Sequence, residues 1–464
     1  MNTEGTFPPE KTICKWRWSY PVIHVSRGEV RTCDKPYNIQ LTEQDFELHG
    51  TDAFINNPYL MERRREKLHG MRHKDCFTCI KLEDRGMPSS RSGVEPFVNY
   101  MNRTVGIPGD FEAMKYKDDE RLLRADHPDI LEISLSNLCN LKCLYCGPAF
   151  SSSWEREEVE HGHMALAETE TRAHSTPPSF HKYFWAWFEK IHLSLDRVIF
   201  IGGEPLLNPQ FTDYVQRIEA IMTASKRRGL RNFDKHPFRF HVISNFSVND
   251  ERFDRFLNLL PTLTENHHVV LEASCESFGP RAEYIRYGMN WDRFVHNVDR
   301  VLAVDSPRLQ FGLQMAINAL CVTSLTELLE WMFDLQNKHH TFIDCKENIV
   351  VAPEHLSPYV LTPDFALNLR KSIKFVEKTF ANPKFSFYDP RFGKETHLRW
   401  QPYLRFMTGV RNEILAAPHH HSLRAQLHEF IREMDRRRGT NFLMTFPEYA
   451  GFMDHCAASR AKVT

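Results

Sequence analysis

No uninterrupted apolar run in this sequence approaches the roughly 18 to 20 residues that cross a bilayer, and the opening MNTEGTFPPEK has no apolar signal core. These absences predict an intracellular, cytoplasmic protein with no membrane partner. Charge of one sign is also missing, because 59 Lys plus Arg balance 60 Asp plus Glu to a formal net charge of -1. That balance removes a global electrostatic case for nucleic acid, which would need a local basic patch. A disulfide framework is unexpected too, since the 11 cysteines are an odd number and the expected compartment is reducing. Metal ligation or redox chemistry is then the better question for those thiols. The rest is ordinary globular composition, with 42% AVILMFWYC and 26% charged residues over 464 positions, enough chain for two or three domains.

Between about residue 130 and residue 352, short β-branched or aromatic runs alternate with longer amphipathic stretches, the pattern of repeated βα units. Six strands are expected: ILEISLS (130–136), RVIFIG (197–202), FRFHVIS (238–244), HVVLEAS (268–274), LQFGLQMAIN (309–318) and NIVVAP (348–353). Helices are expected over NPQFTDYVQRIEAIMTASKRR and TSLTELLEWMFDLQNK. Parallel strands with right-handed crossovers can close into a full or partial barrel, with ligands at the carboxyl ends of the strands. The first ~125 residues read instead as a small separate domain. There PVIHVSRGEVRTC suggests two short strands around a Ser-Arg-Gly turn, ahead of a helical NPYLMERRREKLHG. From about 362 onward the chain reads mostly helical, clearest in TPDFALNLRKSIKFVEKTF and SLRAQLHEFIREMDRRRG, and no internal repeat is found.

Directly after the first expected strand, Cys139, Cys143 and Cys146 form a C-x3-C-x2-C run. Three neighbouring thiolates can hold an iron-sulfur cubane that keeps one open iron, or a zinc ion closed by a fourth ligand from elsewhere. Two features favour the cluster: the run sits where βα folds place active sites, and the second strand ends in Gly202-Gly203-Glu204-Pro205. The two glycines would let backbone approach a ligand closely, and Glu204 would suit an ammonium group.

These motifs resemble the radical S-adenosylmethionine (SAM) superfamily over roughly residues 125 to 355. The cysteine loop matches with Tyr145 at the aromatic position before the last cysteine, and the GGEP strand end matches the segment that contacts the SAM amino group. The resemblance implies an α/β fold with a partial (β/α)6 TIM-like barrel. It implies a 4Fe-4S cluster with one open iron at Cys139, Cys143 and Cys146, and SAM held by Tyr145, Gly202, Gly203, Glu204 and Pro205. Ser244, Asn245, Ser274 and Arg286 resemble positions that reach the ribose and carboxylate of SAM; the plain alternative for each is a helix cap or an ion pair. Reductive cleavage of SAM to a 5'-deoxyadenosyl radical would follow, with a reductant such as flavodoxin or ferredoxin.

Four further cysteines, Cys14, Cys33, Cys76 and Cys79, could complete a closed structural zinc site or a second cluster. Residues 10–95 resemble a twitch domain, a shortened SPASM domain, here placed before the barrel rather than after it. The resemblance implies an auxiliary 4Fe-4S cluster; four candidate thiolates favour full ligation, and so electron transfer rather than direct substrate coordination as its role. The expected layout is an auxiliary α+β domain over 1–124, the barrel over 125–355 and a helical extension over 356–464. A peptide or protein undergoing modification is the leading substrate expectation, ahead of another small molecule and of a nucleotide or nucleic acid. The rival from another class is a zinc-stabilised binding protein without turnover.

Several tempting features have plainer explanations. Cys275, Cys321, Cys345 and Cys456 read as small buried residues, although a thiol near the site could donate a hydrogen atom. His419, His420 and His421 read as a polar loop or helix start. The basic runs at 63–66, 226–231 and 436–439 read mainly as helix ends. Glu448 and the aromatic run from Phe180 to Phe188 could line a cleft, but an aromatic run of this kind is more often core.

Overall fold

The computed structural model describes residues 12–33, 38–84, 89, 91, 97–106, 119–164, 176–233, 235–389, 393–416 and 420–460. Eleven strands occur among them: β1 Pro21–His24, β2 Glu29–Thr32, β3 Ile39–Gln40, β4 Ile130–Ser134, β5 Lys142–Cys143, β6 Arg197–Ile201, β7 Arg239–Ser244, β8 His268–Ser274, β9 Arg286–Tyr287, β10 Leu309–Ile317 and β11 Ile343–Ile349. The chain forms two compact units. One comprises Met1–Ser136, Arg172–Val242 and Glu265–His268; the other comprises Asn137–Thr171, Ile243–Thr264 and Val269–Thr464.

In the first unit β4 pairs in parallel with β6, from Ile130↔Arg197 to Ser134↔Ile201, and β6 pairs in parallel with β7. The run Leu131-Glu132-Ile133 is buried throughout, as expected of a parallel strand covered on both faces. The predicted hairpin forms: β1 and β2 are antiparallel, and the turn closes at Gly28, whose φ of 62° is a left-handed conformation that costs glycine nothing. The hairpin also continues the sheet, since β1 pairs in parallel with β4 through Val22↔Glu132 and His24↔Ser134. The aromatic run becomes the helix Phe180–Ile191, and its Phe180, Phe184, Trp187 and Phe188 are buried. Phe54 stacks on Trp187 at 5.1 Å, so this face of the helix is core, while His181, Lys182, Trp185 and Ala186 on its other side line a cavity.

In the second unit β8, β10 and β11 are parallel neighbours, and β5 pairs antiparallel with β9 through Lys142↔Tyr287 and Cys143↔Arg286. The sixth expected strand is displaced. NIVVAP overlaps β11 by two residues, because pairing with β10 sets the strand from Ile343 to Ile349 and the chain leaves it before Val350. The predicted helices form as Phe211–Arg227 in the first unit and Leu325–His339, Ala366–Lys378 and His421–Arg438 in the second. No helix among the described residues is long and apolar enough to cross a membrane.

Two basic runs have structural work. Arg64, 1% exposed, donates to the backbone carbonyls of Arg17, Ile55 and Leu123 in the first unit. Arg438 makes a two-pronged ion pair with buried Glu157 in the second. Neither guanidinium is offered to a phosphate backbone. His419 lies outside the described residues.

Candidate metal and cofactor site

The cysteine loop leaves β4 and runs into the helix Ser152–His161, capped by the Ser151 hydroxyl, which accepts the Trp154 N–H at 3.3 Å. That first turn holds the loop. The Cys139 N–H donates to Ser152 Oγ at 3.1 Å, Ser153 Oγ donates to the Cys139 carbonyl at 2.7 Å, and Trp154 Nε1 donates to the Cys143 carbonyl at 2.8 Å. Asn245, at the end of β7, fastens the other side: its Nδ2 donates to Asn140 Oδ1 at 2.9 Å and approaches Cys139 Sγ at 3.9 Å. Asn140 Nδ2 in turn donates to the Ser247 carbonyl at 3.0 Å. Thus Asn245 stands at the cysteine loop, while Ser244 accepts the Phe246 N–H in its own turn.

Arg286 lies opposite Cys143 in the β5–β9 pair, and its Nη1 is 3.9 Å from Cys143 Sγ. Its Nε and Nη2 both donate to Glu276, a fully buried carboxylate that also accepts the Tyr145 hydroxyl at 3.1 Å on each oxygen. Burial works against the Arg286 charge, and Glu276, Tyr145 and Cys143 more than restore it. The Tyr145 phenol is pushed well above its usual value by burial, with Glu276 adding to that. Ser274 is half-buried at the end of β8, in register with Gln314.

Burial pushes up the Cys143 and Cys146 thiols, and Cys146 is raised further by Cys143 and Cys139. The three sulfurs therefore share one loop and one field. Bringing three thiolates together, one buried and two half-buried, is unfavourable unless positive charge joins them, which is what a metal centre supplies. This donor set fits a thiolate-bound centre, although no group of three or more His, Cys, Asp or Glu side chains among the described residues stands at metal-holding spacing.

The Gly-Gly-Glu-Pro end of β6 belongs to the first unit. Gly202 has φ of 137°, and a Cβ there would stand 2.6 Å from the Ser136 carbonyl oxygen, so glycine is required by both backbone and space. The Gly203 N–H donates to that same carbonyl at 2.9 Å. Glu204 is buried and its Oε1 accepts the Leu206 N–H at 3.0 Å, capping the short turn Pro205–Leu207. One oxygen of the carboxylate expected to meet an ammonium is therefore engaged by its own backbone.

In the same unit, Cys33 follows β2 with φ of 71°, and its N–H donates to the Tyr20 carbonyl at 2.6 Å. The Cys14 thiol is pushed up to about 12 by burial, with Cys76 and Cys79 adding to it. Arg17 donates to Cys76 Sγ at 3.5 Å and also feels Cys33. Arg17 and Lys67 hold the Cys76 thiol below its ordinary value against the effect of burial. The four cysteines act on shared neighbours without forming a group at metal-holding spacing.

A further set of residues escaped the sequence reading. On β8, β10 and β11 one face carries Leu271, Ala273, Phe311, Leu313, Met315 and Ile343. The opposite face carries Glu272, Ser274, Gln310, Gln314, Asp344 and Lys346. Parallel strands ordinarily bury apolar residues on both faces, so a polar row here calls for polar company. Lys346 pairs with Glu272, Arg399 pairs with Asp344 at 3.4 Å, and the buried Gln310 amide has no hydrogen-bond partner among the described residues. The alternation Gln310-x-Gly312-x-Gln314 and Asp344-x-Lys346-x-Asn348 was the available signal.

No protein-family model and no curated protein sequence matches this chain. Among solved structures, three of SuiB from Streptococcus suis are similar. SuiB bound to S-adenosylmethionine gives a TM-score of 0.34 at 11% identity, over 77% of this chain and 68% of that one. SuiB alone gives 0.33 at 12%, over 75% and 66%. SuiB bound to precursor peptide SuiA gives 0.33 at 14%, over 77% and 67%. A likeness at this level carries no argument about what the present chain binds or does.

Proposed function

We propose that this chain is a radical SAM enzyme whose Cys139, Cys143 and Cys146 hold a 4Fe-4S cluster with one open iron. The observation that carries the proposal is the C-x3-C-x2-C loop at the carboxyl end of a parallel strand, with three thiols in one field and anchors on both flanks. When bound there, such a cluster would supply the open iron that takes SAM and the electron for its reductive cleavage. The chain's own part is to orient and to exclude water. Asn140 and Asn245 hold the Cys139 side of the loop, Trp154 the Cys143 carbonyl, and Arg286 faces the Cys143 sulfur. Gly202 and Gly203 would allow a close backbone approach for SAM, and Glu204, Pro205, Ser244 and Ser274 are the further candidate contacts.

The proposal extends to a partial (β/α)6 barrel over 125–355, an auxiliary cluster at Cys14, Cys33, Cys76 and Cys79 within 1–124, and a helical extension over 356–464. Cys76 and Cys79, each within electrostatic reach of Cys14, support the second cluster. The polar row on β8, β10 and β11 supports a substrate rich in hydrogen-bonding groups, and a peptide undergoing modification is the preferred class, by analogy with the family. Anaerobic incubation of the reconstituted protein with SAM and dithionite is expected to yield 5'-deoxyadenosine. Protein that carries zinc without iron or acid-labile sulfide would refute the enzyme.

A further inference from the structure

Glu276 is the least expected charge in the second unit. It is fully buried, it sits two residues beyond the end of β8, and it gathers two residues at the cysteine loop, Arg286 and Tyr145. Arg286 donates to it from Nε at 3.2 Å and from Nη2 at 2.5 Å, and Tyr145 donates from the other side. The third branch of the same guanidinium, Nη1, points at Cys143 Sγ. Backbone pairing reinforces the arrangement, since the Leu144 N–H donates to the Ile285 carbonyl at 2.8 Å and Cys143 is registered with Arg286.

A guanidinium beside a thiolate ligand would, alone, add a full buried positive charge to the surroundings of the cluster. A carboxylate at hydrogen-bond distance cancels it. The potential of an iron-sulfur centre follows the net charge and hydrogen bonds around its sulfurs, so cancellation of this kind keeps a centre difficult to reduce.

We propose that Glu276 is a positioning and charge-balancing residue for the cluster: it neutralises Arg286, aims Nη1 at Cys143 and holds the hydroxyl of Tyr145, which stands between the last two cysteines in sequence. This rests on the cluster reading of Cys139, Cys143 and Cys146. The function differs from substrate or SAM binding, because Glu276 is enclosed by Tyr145 and Arg286 and acts through them.

The test is a spectroelectrochemical titration of the anaerobically reconstituted full chain, with iron counts and thermal melts alongside. Glu276→Gln leaves the buried guanidinium uncompensated. At a fixed potential near the midpoint it is expected to raise the ratio of reduced to oxidised cluster at least tenfold, a shift of about 59 mV for one electron. Glu276→Gln combined with Arg286→Met removes both charges together with the Nη1 contact to Cys143, and is expected to load iron with a midpoint at or somewhat below the wild-type value. Tyr145→Phe keeps both charges and is expected to leave the midpoint unchanged. An unchanged midpoint in iron-loaded Glu276→Gln overturns the proposal. If Glu276→Gln does not fold, the double variant decides: iron loading with a midpoint at or below the wild-type value supports the proposal, and a midpoint above it or failure to load iron overturns it. Absence of an iron-sulfur signal from the wild-type chain would instead sink the cluster reading beneath it.

Discussion

Replacing Arg438 by Met should destabilise the second unit by about 3 kcal/mol. Arg438 ends the helix His421–Arg438 and reaches Glu157 with Nε at 3.1 Å and Nη2 at 2.9 Å, both side chains 1% exposed. Its guanidinium also lies over the Trp154 ring at 4.7 Å and the Tyr287 ring at 5.1 Å. Removing one member of a buried ion pair costs about 3 to 5 kcal/mol, because the other charge stays desolvated. The lower end applies here, since Lys142 Nζ remains 2.7 Å from Glu157. Thermal unfolding followed by circular dichroism should show a fall of about 6 to 12 °C. Burial alone would raise the Glu157 carboxyl, but Arg438 and Lys142 hold it below its ordinary value. Its contribution is therefore present above the unfolded value of about 4.3 and is lost as pH falls through the lower folded value. The gap between wild type and variant should be widest near pH 7 and close on acidification. Glu157→Met with Arg438→Met should recover most of the loss, as no buried charge is left alone. A single variant within 1 kcal/mol of wild type at pH 7, or a gap that ignores acid, would refute the reasoning.

Three other substitutions probe different links. Gly202→Ala places a Cβ 2.6 Å from a backbone carbonyl at a φ that other residues rarely adopt, and should cost roughly 2 to 4 kcal/mol in urea unfolding; a loss under 1 kcal/mol would contradict the cradle. Glu347 is pushed up to about 7 chiefly by burial, so wild type should lose stability relative to Glu347→Gln as pH rises from 4.5 through 7. Melting curves at pH 5 and pH 8 check this, and the same difference at both would exclude it. Asn245→Ala removes the amide that holds Asn140 and approaches Cys139, and should lower retained iron several-fold after desalting while leaving the melt within about 2 °C. Wild-type retention would show that the clamp is dispensable.

Strands β4, β6, β7, β8 and β10 were legible because each is a short β-branched or aromatic run bounded by turn residues. β11 was misplaced because Asp344, Lys346 and Glu347 make it too polar to read as a parallel strand, and its position depends on pairing with β10. The parallel pairing of β1 with β4 was beyond the sequence, since it joins segments about a hundred residues apart. Composition displayed Arg64 and Arg438 as members of basic runs, but their partners lie far along the chain. The cysteine loop was fully visible as spacing. Glu276 was not, because nothing local distinguishes a carboxylate that will meet Arg286 and Tyr145 from one that will meet water.

The central claim, that Cys139, Cys143 and Cys146 hold a 4Fe-4S cluster, is tested most directly by counting iron and acid-labile sulfide in anaerobically reconstituted wild-type chain and in the Cys139→Ala, Cys143→Ala, Cys146→Ala triple variant. The account predicts that the triple variant loses about four irons and four sulfides per chain relative to wild type, and loses SAM-dependent formation of 5'-deoxyadenosine with them. Equal iron and sulfide in the two proteins, or wild-type protein that binds zinc and no sulfide, would contradict it.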